Sequence, residues 1–191
     1  ELVCEAPAPP MPLYFWNDPE GKRYRESYFE MFPRKWRHGD WIRFTSDGRS
    51  VIFERSDTTI NRFGIRMGTS EIYRAVEEIP EVLDSMVVDL EYLGRESFMP
   101  LFVVLRAGTV LDDALKARIK ESIRQRASAR YVPNEIYAVS DIPRTLTGKK
   151  MELPVRKLLL GQALEKVASA DAMANAGSLT FFVELAKTLK G

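Results

Sequence analysis

One cysteine and one histidine are all that 191 residues contain. The lone Cys4 excludes an internal disulfide and suits a reducing, cytoplasmic setting. With His38 as the one imidazole, the chain falls short of a zinc ligand set, so no metal site is expected. No apolar run reaches the roughly 18–20 residues that cross a bilayer, so no membrane span is expected. Charge of one sign is lacking too. The 28 basic and 27 acidic side chains leave a net +1, so nothing global points to nucleic acid or another polyanion. The opening ELVCEAPAPP has neither the basic nor the apolar region of a signal peptide.

What is present is ordinary for a globular chain: 45% hydrophobic and 29% charged residues, enough for one or two domains. Glu1 stands where an initiator methionine would, and ELVCEA reads as a short strand already under way. A piece of a longer chain is therefore expected.

Residues 1 to 55 read as β-rich and loop-rich. PAPPMP fits neither a helix interior nor a central strand, because proline has no N–H to donate. WIRFTSDGRSVIFER predicts a hairpin around Ser46-Asp47-Gly48. TSEIYRAVEEI places Ile72, Val76 and Ile79 on one helical face, with Thr69 or Ser70 as cap and Glu71 in the first turn. SMVVDLEYL and PLFVVLRAG predict strands, and EIYAVS another. DDALKARIKESIRQRA predicts a helix with Leu115, Ile119 and Ile123 inward and Lys116, Lys120 and Arg124 outward or flanking. ELPVRKLLLG predicts a short helix stopped at Gly161, SADAMANAGS a small-residue linker, and SLTFFVELAKTL a last helix. The fold class is α+β: a small C-terminal domain, a short sheet flanked by helices, after a β-rich segment.

Three stretches carry polar chemistry. In DIPRTLTGKKMEL, Gly148-Lys149-Lys150 suggests phosphate handling. It is not a P-loop: Pro143 stands where the first glycine belongs, and Lys150 where Ser or Thr belongs. A solvated basic turn is the plainer reading. In WRHGDW, Asp40 at the mouth of a strand pair can accept two hydroxyl donors from a sugar, or simply satisfy its own turn. ERSDTTINRFGIRMGTSEIY collects Arg55, Asp57, Asn61, Gly64, Arg66 and Gly68 ahead of a helix. It suits a hinge or a backbone-lined ligand channel, or a long structural loop.

Taken in order, these stretches resemble the C-terminal part of the adenylate-forming acyl-CoA synthetases. WRHGDW, ERSDTTINRFGIRMGTSEIYRAVEEIPEV and IPRTLTGKKMELPVRKLL follow that family's order and spacing, and the resemblance covers essentially the whole chain. It implies that 1–56 is the end of a large adenylation domain. It implies that 57–191 is a mobile C-terminal domain, with a helical extension from about 170. The implied activity joins a short-chain acid to CoA using ATP with Mg²⁺, through an acyl-adenylate. Acetoacetate is the acid the detail favours, with acetate or propionate as alternatives. By the same resemblance Asp40 and Arg55 bind the nucleotide and Lys149 is catalytic. Asp57 is the hinge, Gly64, Arg66 and Arg124 meet CoA, and Lys150 is solvated. Mg·ATP would be held mainly by an N-terminal adenylation domain of the same chain, absent from these residues, and without it this polypeptide is expected to be inactive.

Glu54, where the family often has glycine, and the bulky Phe63 depart from its pattern. Two readings from other classes stay open: a non-catalytic binding module keeping the domain, and a nucleic-acid binder using helix 112–127. Retention of Asp40, Asp57 and Lys149 together weighs against the first. The absence of aromatic interleaving on that helix weighs against the second.

Overall fold

Prolines 7, 9, 10 and 12 keep the opening of the chain out of regular structure beyond one short strand, as their missing N–H groups require. The computed structural model describes residues 1–189 apart from 57–59, 63–64 and 92–97; at 53, 54, 61, 62 and 65–67 it describes the backbone alone. The chain divides into two compact units, Glu1–Asp57 and Thr58–Gly191.

The first unit holds β1 (Val3–Cys4), α1 (Lys22–Tyr28), β2 (Trp36–Arg37), β3 (Asp40–Phe44) and β4 (Ser50–Arg55). β1 pairs antiparallel with β2, and β3 with β4. The β3–β4 hairpin matches expectation, with Gly48 supplying the positive φ of its turn (82°). Helix α1 is not foreseen in a segment read as β- and loop-rich. Asp18 accepts from the backbone N–H groups of Arg23 (3.2 Å) and Tyr24 (2.9 Å), satisfying donors that the first turn leaves open. Tyr24 and Tyr28, one turn apart, stack edge-on with ring centroids 5.4 Å apart, and Tyr28 leans on Trp36 at 6.1 Å. Trp36 is the unit's one buried apolar side chain among the described residues; Leu13, Tyr14, Trp16, Phe44 and Ile52 are exposed.

The second unit begins with the antiparallel pair β5 (Ile60–Arg62) and β6 (Ile65–Met67), in the stretch read as a hinge or loop. Helix α2 (Thr69–Glu77) follows, then β7 (Val82–Val87), β8 (Pro100–Leu105), α3 (Asp113–Arg126), β9 (Glu135–Ala138), α4 (Glu152–Leu159), α5 (Leu164–Val167) and α6 (Leu179–Leu189). The sheet order is β7-β8-β9, with β7 antiparallel and β9 parallel to the central strand. Parallel strands need a crossover, and α3 supplies it.

Period-two alternation on β8 sends side chains into two cores. Leu101 and Val103 meet Ile72 and Val76 of α2 and Ile119 and Ile123 of α3. Phe102 faces the other way, into Val155 and Leu158 of α4 and Phe182 of α6. Both faces of the sheet are thus covered by helices, the α+β arrangement expected. Leu115, Ile119 and Ile123 are buried as predicted, and Asp112 caps α3 by accepting from Leu115 N–H at 2.8 Å. Helix α4 stops as predicted, at Gly161 (φ 94°), where Gly161 N–H donates to the Leu158 carbonyl and Gln162 N–H to that of Lys157.

Three expectations fail. The cap of α2 is Gly68, without a side-chain bond; Thr69 is buried as the first helical residue, and its hydroxyl turns to Tyr73. β7 runs over Val82–Val87, earlier than SMVVDLEYL suggests, because Asp84 and Ser85 have partners that let them sit inside a strand. The small-residue segment 169–178 is no free linker. Its Met173 is buried and bridges Thr145.

Candidate active-site residues

In the first unit, β3 and β4 place Asp40 opposite Arg55 in register. Arg55 Nη1 stands 3.7 Å from Asp40 Oδ1, and His38 Nδ1 is 3.3 Å from Oδ2. Arg55 also donates to the His38 carbonyl at 3.1 Å. Gly39 makes this approach possible. Its φ is 84°, and a Cβ there would lie 2.7 Å from Arg55 Nη2. The strand pair therefore brings together the two residues predicted to touch a nucleotide. A carboxylate lies beside a half-exposed guanidinium, so hydroxyl donors and phosphate oxygens could both be met there.

In the second unit, the stretch 143–151 is a tight reversal ahead of α4. Arg144 bridges Lys150, Thr145 N–H donates to the Lys149 carbonyl (2.9 Å), and Gly148 N–H to the Thr145 carbonyl (2.8 Å). The Thr145 hydroxyl accepts from Lys149 N–H at 3.1 Å. Gly148 takes φ 82° with open space around it, so its role is backbone freedom rather than close approach.

The two lysines part company here. Lys149 is exposed, and its ammonium makes no hydrogen bond or ion pair with any described residue. Lys150 is not solvated as expected. Its ammonium donates to Glu77 Oε1 (2.8 Å) and to the Ser85 carbonyl (2.6 Å), lies 2.9 Å from Asp84 Oδ1, and sits 4.0 Å above the Tyr73 ring. Its side chain is 17% exposed. Burial pushes the Asp84 carboxyl up, but hydrogen bonds from Lys150 and Arg144 outweigh it and hold the group below the usual carboxylate range. Burial, then the charge of Glu152, pushes the Tyr73 phenol well above its ordinary range. Tyr73 donates to Glu152 and accepts from Val87 N–H at 3.3 Å.

The other flank of the reversal is held by residues 172–175. Asn175 Oδ1 accepts from Arg144 N–H (2.9 Å), while its Nδ2 donates to Asp141 Oδ2 (2.5 Å) and the Ile142 carbonyl (2.8 Å). Leu146 N–H donates to the Ala172 carbonyl, and Ala174 N–H to that of Arg144. Tyr73, Glu77, Asp84 and Asn175 were not singled out from sequence, and Lys150 was read there only as a solvated neighbour of Lys149. One signal was available: Tyr73 and Glu77 lie one helical turn apart, and Asp84 interrupts an apolar strand.

Arg124 is exposed on α3 and paired with Glu121 at 2.6 Å, three residues back. Asp57 and Gly64 lie outside the described residues, as does the side chain of Arg66.

Residues 71–149 match the family described as AMP-binding enzyme C-terminal domain, and the second unit has that domain's fold. Across nearly its whole length the chain is similar in sequence to the C-terminal part of acetoacetyl-CoA synthetases. It is 44% identical over 185 residues to the acetoacetyl-coenzyme A synthetase of Rhizobium meliloti (strain 1021), covering 97% of this chain and 28% of that protein. Against the acetoacetyl-CoA synthetase of Caenorhabditis elegans it is 43% identical over 186 residues, 96% of this chain and 26% of that one. Among solved structures, the acetoacetyl-CoA synthetase from Streptomyces lividans superposes with a TM-score of 0.85 at 49% identity, over 97% of this chain and 28% of that one. An anthranilate CoA ligase at 22% identity, with a TM-score of 0.60 over 76% of this chain, shares the fold. The chain thus spans little more than a quarter of the length of the relatives it matches.

Proposed function

We propose that this chain is the C-terminal portion of an ATP-dependent, AMP-forming acid–thiol ligase that converts acetoacetate, ATP and CoA to acetoacetyl-CoA, AMP and diphosphate. The observation that carries the reading is Lys149, an ammonium with no partner among the described residues, on a braced turn in a chain 44% identical over 185 residues to such an enzyme. Attack of a carboxylate on the α-phosphate of ATP brings two anions together. A cation aimed between them lowers the repulsion most where charge is densest, in the transition state. The carboxylate oxygen forms the new bond to phosphorus, diphosphate leaves with the electron pair, and CoA thiol later displaces AMP.

Asp40 would accept the ribose hydroxyls, with Arg55 beside it reaching the nucleotide. The units part at Asp57, which suits the hinge assigned to that residue. A swing there would withdraw Lys149 after adenylation and bring Gly64 and Arg66 to the pantetheine arm, with Arg124 free to exchange Glu121 for a CoA phosphate. Mg²⁺ accompanies ATP in this reading. Among the described residues no group of three or more acidic, His or Cys side chains could hold a metal ion, so no residue of this chain is assigned to it. A reducing, cytoplasmic setting suits the lone Cys4 and these substrates.

A phosphate-binding loop and an acid pocket belong to the rest of such an enzyme. The isolated 191 residues should therefore release no diphosphate from ATP with acetoacetate, while the complete ligase carrying them should release it and form acetoacetyl-CoA. A coupled diphosphate assay decides. Turnover by the isolated chain, or its absence from the complete enzyme, overturns the reading.

A further inference from the structure

We infer that Lys150 is a positioning residue, whose inward-turned ammonium fixes the backbone from which Lys149 projects. The inference rests on the role proposed for Lys149. Adjacent residues on an extended backbone point to opposite sides, and Lys150 bridges Arg144 in just such a conformation. Driving Lys150 inward therefore drives Lys149 outward.

What drives it inward is a set of acceptors from three places in the fold. Glu77 comes from the end of α2, Asp84 and the Ser85 carbonyl from β7, and the Tyr73 ring from the middle of α2. A lysine ammonium has three donors, and the three oxygens take all of them. Arg144, at the opposite end of the bridge, is tied to the same Asp84 and donates to the Gly148 carbonyl at 2.6 Å. Both legs of the turn thus meet at one carboxylate on the sheet. Four rotatable bonds make a surface lysine mobile, and a catalytic one gains nothing from a turn that drifts. Displacing a reacting group by about 1 Å can cost on the order of a hundredfold in rate.

The neighbouring lysines are consequently not interchangeable, and Lys150 touches no substrate. In the complete ligase, Lys150→Met should lower kcat for adenylate formation on the order of a hundredfold. KM for ATP should change less than about twofold, and thioester formation from supplied acetoacetyl-adenylate should persist. Met keeps the apolar stem but leaves Glu77 without its cation. A Lys150→Met/Glu77→Gln double variant removes that unpaired charge, with Asp84 still held by Arg144, and should show the same selective loss. Surviving thioester formation reports that each variant is folded. Full adenylation in the double variant, or equal loss of both half-reactions in it, overturns the inference. Lys149→Ala serves as the separate control: if it leaves adenylation intact, the role of Lys149 fails, whatever Lys150 does.

Discussion

Replacing Lys149 with alanine in the complete ligase is expected to cut acetoacetyl-adenylate formation about a thousandfold while leaving thioester formation from supplied adenylate nearly intact. At roughly 4 Å and the effective dielectric of a partly exposed site, one unit charge pair is worth about 4 kcal/mol, close to three decades in rate. Loss of a single transition-state donor costs a similar 10²–10³-fold. The truncation should fold, because the Lys149 side chain is exposed and has no partner to lose among the described residues. Measuring the two half-reactions separately is the decisive step. Equal loss of both would remove Lys149 from adenylation chemistry, and no loss in either would leave it a surface lysine.

The largest expected effect on stability is at Phe182. Its side chain is fully buried, edge-on to Phe102 at 4.7 Å and to Phe181 at 5.6 Å. Phe182→Ala removes a packed ring and leaves a cavity between α6 and the central strand, at a cost of about 3–5 kcal/mol. With urea m-values of about 1–3 kcal/mol per molar, the midpoint should fall by one molar or more at unchanged m. A shift below about 0.3 M would mean that α6 is peripheral to the fold. The change also bears on chemistry. Residues 172–175, which hold one flank of the Lys149 turn, lead directly into α6.

Much of the architecture was legible because the apolar pattern has a definite period. Ile72 and Val76, or Leu115, Ile119 and Ile123, repeat at helical spacing and are buried. The hairpin over 41–55 announced itself through Asp47-Gly48. Helix α1 escaped because its stabilising contacts are aromatic and lie with Phe15 and Trp36, outside its own span. The Thr69 cap failed because a threonine hydroxyl has more than one use, and here a buried tyrosine one turn on takes it. In the candidate site, motif spacing found the lysine pair and the Asp40–Arg55 strand pair. It could not tell that Lys150 points inward, since that depends on Glu77 and Asp84, more than sixty residues earlier in the chain. Local pattern can mark such residues as unusual, as Asp84 in an apolar strand, but it does not pair them with a lysine so far along the chain.

Trp36 stands alone as the buried apolar residue described before Asp57, and this has a calorimetric consequence. Heat uptake on melting reports packed structure, and that structure lies almost wholly after Thr58. A thermogram of the chain should carry one cooperative peak of roughly 90 kcal/mol, against the roughly 130 its full length implies at about 0.7 kcal/mol per residue. The missing enthalpy is a measure of how much of the first unit's order must be supplied by whatever covers its exposed Leu13, Trp16, Phe44 and Ile52.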